Sequence, residues 1–140
     1  WEFAKSSPGE ISEFDLEDTV RLAARLATPA FRNSGVEVPL DEDQPGVPVM
    51  ITADKSLMTQ ALVALLLDAP ASLPGGGIVT WSIESHGVST NVTCHARGYD
   101  DEVGMVWPIA GQATEALGLQ NATAEAAPEG GSVTVSIPIA

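Results

Sequence analysis

The apolar positions of the chain fall into a few clear periods. Leu16, Val20, Ala23, Ala27 and Phe31 recur at spacings of three and four, which predicts an amphipathic helix over about 16–32. Asp15 stands where an N-cap belongs and Gly35 where a helix stop belongs, while Pro29 predicts a kink in the last turn. Positions 36–40 read as a short strand that Pro39 marks as an edge, and 47–52 as a second strand, with the acidic loop Asp41-Glu42-Asp43 between them. Asp54 can cap the next helix, over 55–72. Its face of Leu57, Met58, Ala61, Leu62, Leu65, Leu66 and Ala69 is wide enough for deep burial, and Pro70 disturbs its end.

The period then changes to two. Val79, Trp81 and Ile83 alternate over 78–84, and Val88, Thr90, Val92, Cys94 and Ala96 alternate against Ser89, Asn91, Thr93 and His95. Two such runs around Ser85-His86-Gly87 predict a β-hairpin. Positions 97–111 read as irregular, 112–127 as an alanine-rich helix, and Val133, Val135, Ile137 and Ile139 as the inner face of a closing strand. Helices interspersed with hairpins predict an α/β two-layer sandwich, a mixed sheet with helices on one face. Residues 1–10, with Ser6-Ser7-Pro8-Gly9, read as the end of an upstream helix and a linker, and 11–140 as one domain.

Composition narrows the function classes. An apolar fraction of 44% over 140 residues suits a globular domain. The longest apolar run, 61–67, falls well short of the roughly 18–20 residues that span a bilayer, so no membrane contact is expected. Residues 1–8 lack the basic start and apolar stretch of a signal peptide. Cys94 is the one cysteine, which excludes an internal disulfide and a cysteine-rich zinc site and points to a reducing cytoplasm. The formal net charge of −13 disfavours nucleic acid and anionic lipid. Only Arg97 follows Lys55 among the basic residues, so a polyphosphate would find little cationic support in the second half.

Three segments carry a resemblance. They are Asp54, Gln60 and the run 61–69 followed by Ser72-Leu73-Pro74-Gly75-Gly76-Gly77; the end, Gly130-Gly131-Ser132 to Ile139; and the entry, Glu2-Phe3-Ala4-Lys5 with Phe14-Asp15-Leu16. In order and spacing they resemble the ATPase domain of histidine kinases, in the wider superfamily of gyrase, heat-shock chaperones and mismatch-repair ATPases. That resemblance implies the two-layer fold, ATP with magnesium as cofactors, and an asparagine pair facing the nucleotide. Here Ala64 and Asp68 occupy the pair's positions. The family's Asp-x-Gly-x-Gly, whose aspartate meets the adenine amino group, matches Ala96, Gly98 and Asp100. The glycine-rich phosphate segment finds only partial counterparts at 111–114 and 116–119, and the hairpin strand before the closing strand looks absent.

These departures imply a degenerate ATPase-like domain of a two-component signalling protein, similar to the pseudo-ATPase domain of histidine phosphotransferases. It would act as a scaffold or docking module in a phosphorelay without useful ATP binding. Its expected partners are a response regulator or an upstream histidine-bearing helical hairpin, within a homodimeric cytoplasmic parent. The alternative is a divergent but active ATP-binding catalytic domain of a sensor kinase, with ATP and magnesium held weakly; a free-standing interaction domain is a third class. Asp68 retains an oxygen for a hard cation, while its plainer role is a polar group at an open helix end. Val103, Met105, Trp107 and Ile109 stand in an apolar run with two readings, filling of a vacated pocket or docking of a partner. Arg97, His86 and His95 read as solvated surface groups and Cys94 as core. The sequons at Asn91 and Asn121 match by chance readily and have no secretion signal beside them.

Overall fold

The protein is described by a computed structural model over residues 11–38 and 49–138. The expected linker at 1–10 and the acidic loop at 41–43 lie outside the described residues. So do Pro39, the early part of the strand expected at 47–52, and Ile139.

The first long helix, α1 (Leu16–Ser34), follows a short strand, β1 (Ile11–Asp15). Asp15 caps it as expected: its Oδ1 accepts the Glu17 N–H at 3.0 Å and also the Val49 N–H at 3.2 Å, so the cap ties the helix start to the approaching chain. The helix continues past Pro29 and stops at Gly35, which takes a left-handed φ of 71° and donates its N–H to the Phe31 carbonyl. The next strand, β2 (Val36–Glu37), is two residues long. β3 (Met50–Asp54) pairs antiparallel with β1 in a separate two-stranded sheet.

β1 has no counterpart in the sequence reading. Its residues are mostly polar and only Phe14 is buried, so no alternation of two marks it. The strand expected at 47–52 is observed at Met50–Asp54, the register that buries Ile51 and Ala53.

Asp54 Oδ1 accepts the Leu57 N–H at 3.0 Å and opens α2 (Lys55–Leu67). The helix expected to reach 72 ends at Leu67, and a one-turn α3 (Ala69–Ser72) follows with Pro70 in its first turn. Pro70 has no N–H for the Leu66 carbonyl, so the ladder cannot run through.

β4 (Gly77–His86) and β5 (Ser89–Gly98) form the predicted hairpin, with Val79 opposite Ala96 and Ile83 opposite Val92. Val88 lies in the turn and is exposed, rather than continuing the inward row. α4 (Gly111–Gly118) is shorter than the helix expected over 112–127. The chain turns at Asn121, with φ 59°, and the Ala122 N–H bonds to the Leu117 carbonyl at 2.9 Å. Residues expected in that helix form β6 (Thr123–Ala126), paired antiparallel with β7 (Ser132–Pro138). The strand expected to be absent is therefore present; pairing with β7 outweighs the helix propensity of three alanines in the segment 122–126.

The five-stranded sheet runs β2-β4-β5-β7-β6, with β2 parallel to β4 and the other neighbours antiparallel. Val79, Val92, Cys94, Val133 and Val135 face the helices, where Phe31, Met58, Leu62 and Leu65 are buried. Each such Leu or Phe contributes about 1.5–3 kcal/mol. The predicted mixed-sheet sandwich is confirmed. α1 and α4 both pack on α2, so α2 is the central helix of the layer that carries Ala64 and Asp68.

Candidate functional site

The five positions singled out in the sequence lie in two segments, the end of α2 with the residue after it, and the end of β5 with the turn after it. Ala64 lies in α2, 6% exposed. Asp68 is the residue between α2 and α3, half-buried, and its backbone carbonyl accepts the Ala71 N–H at 3.1 Å. Ala96 is buried in β5, and Gly98 ends that strand. Asp100 follows in a short 3-10 turn (Tyr99–Asp101) with φ 65° and ψ 22°. That is left-handed backbone, open to glycine and tolerated by aspartate. Neither Ala64 nor Ala96 carries a hydrogen-bonding side-chain atom.

A strap from Gly98 to Trp107 passes over Ala96, and backbone hydrogen bonds hold it. The Gly98 N–H donates to the Glu102 carbonyl at 2.8 Å, closing a tight turn. The Tyr99 hydroxyl donates to the Gly35 carbonyl at 2.9 Å and anchors that turn to the stop of α1. Both backbone groups of Ala96 are engaged: its N–H donates to Gly131 at 2.8 Å and its carbonyl accepts the Gly104 N–H at 3.3 Å. The Met105 N–H donates to the Ser72 carbonyl at 2.8 Å, and the Gly131 N–H to the Met105 carbonyl at 3.3 Å. The strap thus joins α3, β5 and the β6–β7 turn.

Trp107 closes its end. The side chain is 1% exposed, and its Nε1–H donates to the Leu65 carbonyl at 3.0 Å. That carbonyl belongs to the last turn of α2 and also accepts the Asp68 N–H at 3.2 Å, so the indole is its second donor. Ile109 packs partly buried against the same core, whereas Val103, Met105 and Val106 are 70%, 61% and 54% exposed. The run that the sequence marked as one apolar cluster is divided, with Trp107 inward and its neighbours outward.

Two cavities have some of these positions in their linings. One of about 440 Å³ lies among the helices, with Ala64 in its wall. The other, about 220 Å³, lies between the glycine turn at 74–76 and the strap, with Gly98, Asp100 and Glu102 in its lining. Among the described residues no Lys, Arg or His lines either one. The structure therefore separates the nucleotide-site positions, Ala64 on one cavity, Gly98 and Asp100 on the other, with Ala96 beneath the strap. Burial pushes the Cys94 thiol, on β5 facing the core, up from 9.0 to about 12. Among the described residues, no three of His, Cys, Asp and Glu converge as a metal site.

The sequence reading did not single out Tyr99, Gly104 or Gly130 as parts of a closure. A glycine inside an otherwise apolar run, and a Gly-Gly before the last strand, were the available signals.

No family model matches the chain, and no curated protein matches it in sequence. Solved structures do match. A catalytic domain of histidine kinase ThkA superposes with a TM-score of 0.68 at 15% identity, over 92% of this chain and 97% of that one. The chain has the fold of a histidine-kinase catalytic domain. Histidine kinase AdeS of Acinetobacter baumannii gives the same TM-score, 0.68, at 15% identity over 94% of this chain and 67% of that one. The mycobacterial sensor histidine kinase MprB gives 0.64 at 13% identity, over 91% and 97%. ThkA is also solved in complex with the response regulator protein TrrA.

Proposed function

We propose that this domain serves two-component signalling in the cytoplasm as a docking module that does not make use of ATP. The strap carries this reading. Its inner side is occupied by Trp107 and by the hydrogen bonds that engage Ala96, while its outer side offers Val103, Met105 and Val106. The residues present do not fit a nucleotide with magnesium. Ala96 offers no acceptor to a base amino group and Ala64 no polar atom to the nucleotide, which leaves the Asp68 carboxylate as the pair's one oxygen donor for a cation. Asp100 and Glu102 line the smaller cavity, where phosphate would meet negative charge. Two like charges about 4 Å apart repel by about 1 kcal/mol even in water, and by more in a partly dry cleft.

The apolar outer edge suits a protein partner, and a response regulator is the partner class proposed, by analogy with the ThkA complex. The test is binding of the cognate response regulator to the parent domain and to Met105→Asp/Val106→Asp, which alters only exposed positions. The parent is expected to bind and the double variant to lose affinity at least about tenfold, a loss of about 1.4 kcal/mol, with unchanged melting. Equal binding by both proteins would remove the docking edge from the account.

A further inference from the structure

The larger cavity is the feature that the docking reading leaves unused. Its floor is made by two alanines, Ala64 of α2 and Ala116 of α4, 6% and 8% exposed. One turn before each stands a glutamine, Gln60 and Gln112, exposed at the mouth. Residues four apart lie on one helix face, so each helix presents the same pair, an amide at the rim and a methyl at the base. Val63 and Leu67 of α2, with Leu26 of α1, complete the wall. The small alanines create the space.

We propose that this cavity binds a small, uncharged, largely apolar molecule, gripped by Leu26, Val63 and Leu67 and oriented by the Gln60 and Gln112 amides. Three observations select that class. The volume, about 440 Å³, lies in the range of about 300–1,000 Å³ typical of small-molecule sites. Among the described residues no charged one lines it, so an ion entering would lose hydration with no counter-charge in return from them. Two neutral amides supply both donors and acceptors, which suits carbonyl, amide or heteroaromatic nitrogen groups. The net charge of −13 acts further against anions. This inference stands on the cavity and goes beyond the docking reading.

The test uses a matched pair of fluorescent probes, neutral N-phenyl-1-naphthylamine and its anionic relative 1-anilinonaphthalene-8-sulfonate, with the whole chain. The neutral probe is expected to bind saturably, one per chain, and the sulfonate at least about tenfold more weakly, a difference of about 1.4 kcal/mol. Ala116→Leu fills the floor and is expected to remove neutral-probe binding. Gln112→Trp, at an exposed position, closes the mouth without touching the core and covers the case in which Ala116→Leu does not fold. No saturable binding, equal affinity for both probes, or binding unchanged in the folded variants would each overturn the proposal. Self-association of the parent that Gln112→Trp abolishes, with no probe binding, would assign the groove to a second copy and overturn it too. Mg–ATP titrated in parallel separates the two accounts. ATP binding would count against the docking reading alone, and absent probe binding against the cavity alone.

Discussion

At Trp107 two terms act together. The indole is buried beneath the strap, and its N–H finds a partner in the Leu65 carbonyl, which it shares with the Asp68 N–H. Truncating a buried Trp costs about 3–5 kcal/mol. Trp107→Ala should therefore lower the free energy of unfolding by that amount in a urea titration. A loss within about 0.5 kcal/mol, the range of ordinary surface changes, would show that the strap closes without it. Cys94 is a second single-residue test. Its folded-state pKa, about 12, is raised above the ordinary 9.0, so the thiol's contribution to stability is complete below 9.0. That contribution is lost as pH rises from there through about 12, because the unfolded chain releases its proton first. Cys94→Ala should flatten this alkaline fall in stability, whatever it does to stability at neutral pH. An unchanged slope above pH 9.0 would contradict the assignment.

At the scale of elements, the strap depends on the turn between β6 and β7. Gly130 has a φ of 87°, and a Cβ there would run into the Gly104 carbonyl oxygen. The left-handed backbone alone costs a non-glycine residue about 1–2 kcal/mol, and the overlap adds to it. Gly130→Ala should lower stability by more than that figure and change Trp107 fluorescence, because the strap must shift. Gly87→Ala is the control: nothing lies within 4 Å of an added Cβ, and its stability should stay within about 0.5 kcal/mol of the parent. Equal effects of the two substitutions in parallel thermal melts would remove the contact from the account.

The same scale explains what the sequence made legible. α1, α2 and the β4–β5 hairpin bury wide apolar faces, and their periods of 3.6 and two could be read directly. β1 is held by pairing to β3 with Phe14 as its only buried residue, and β6 borrows its register from β7, so neither leaves a periodic trace. Of the site, the positions of Ala64, Asp68, Ala96, Gly98 and Asp100 came from resemblance to motifs. The inward turn of Trp107 between exposed neighbours did not, because the strap is shaped by backbone hydrogen bonds to Ser72, Ala96 and Gly131 that have no side-chain signature.

For the whole molecule, the fold is the kinase-type sandwich, while the ends of α2 and β5 present the methyl groups of Ala64 and Ala96, and the strap adds the Asp100 and Glu102 carboxylates. Its net charge of −13 works in the same direction, against polyphosphate. Isothermal titration calorimetry of Mg–ATP into the folded domain tests this most directly. The account predicts no saturable heat up to millimolar ATP. A saturable isotherm of one ATP per chain with a micromolar dissociation constant would contradict it.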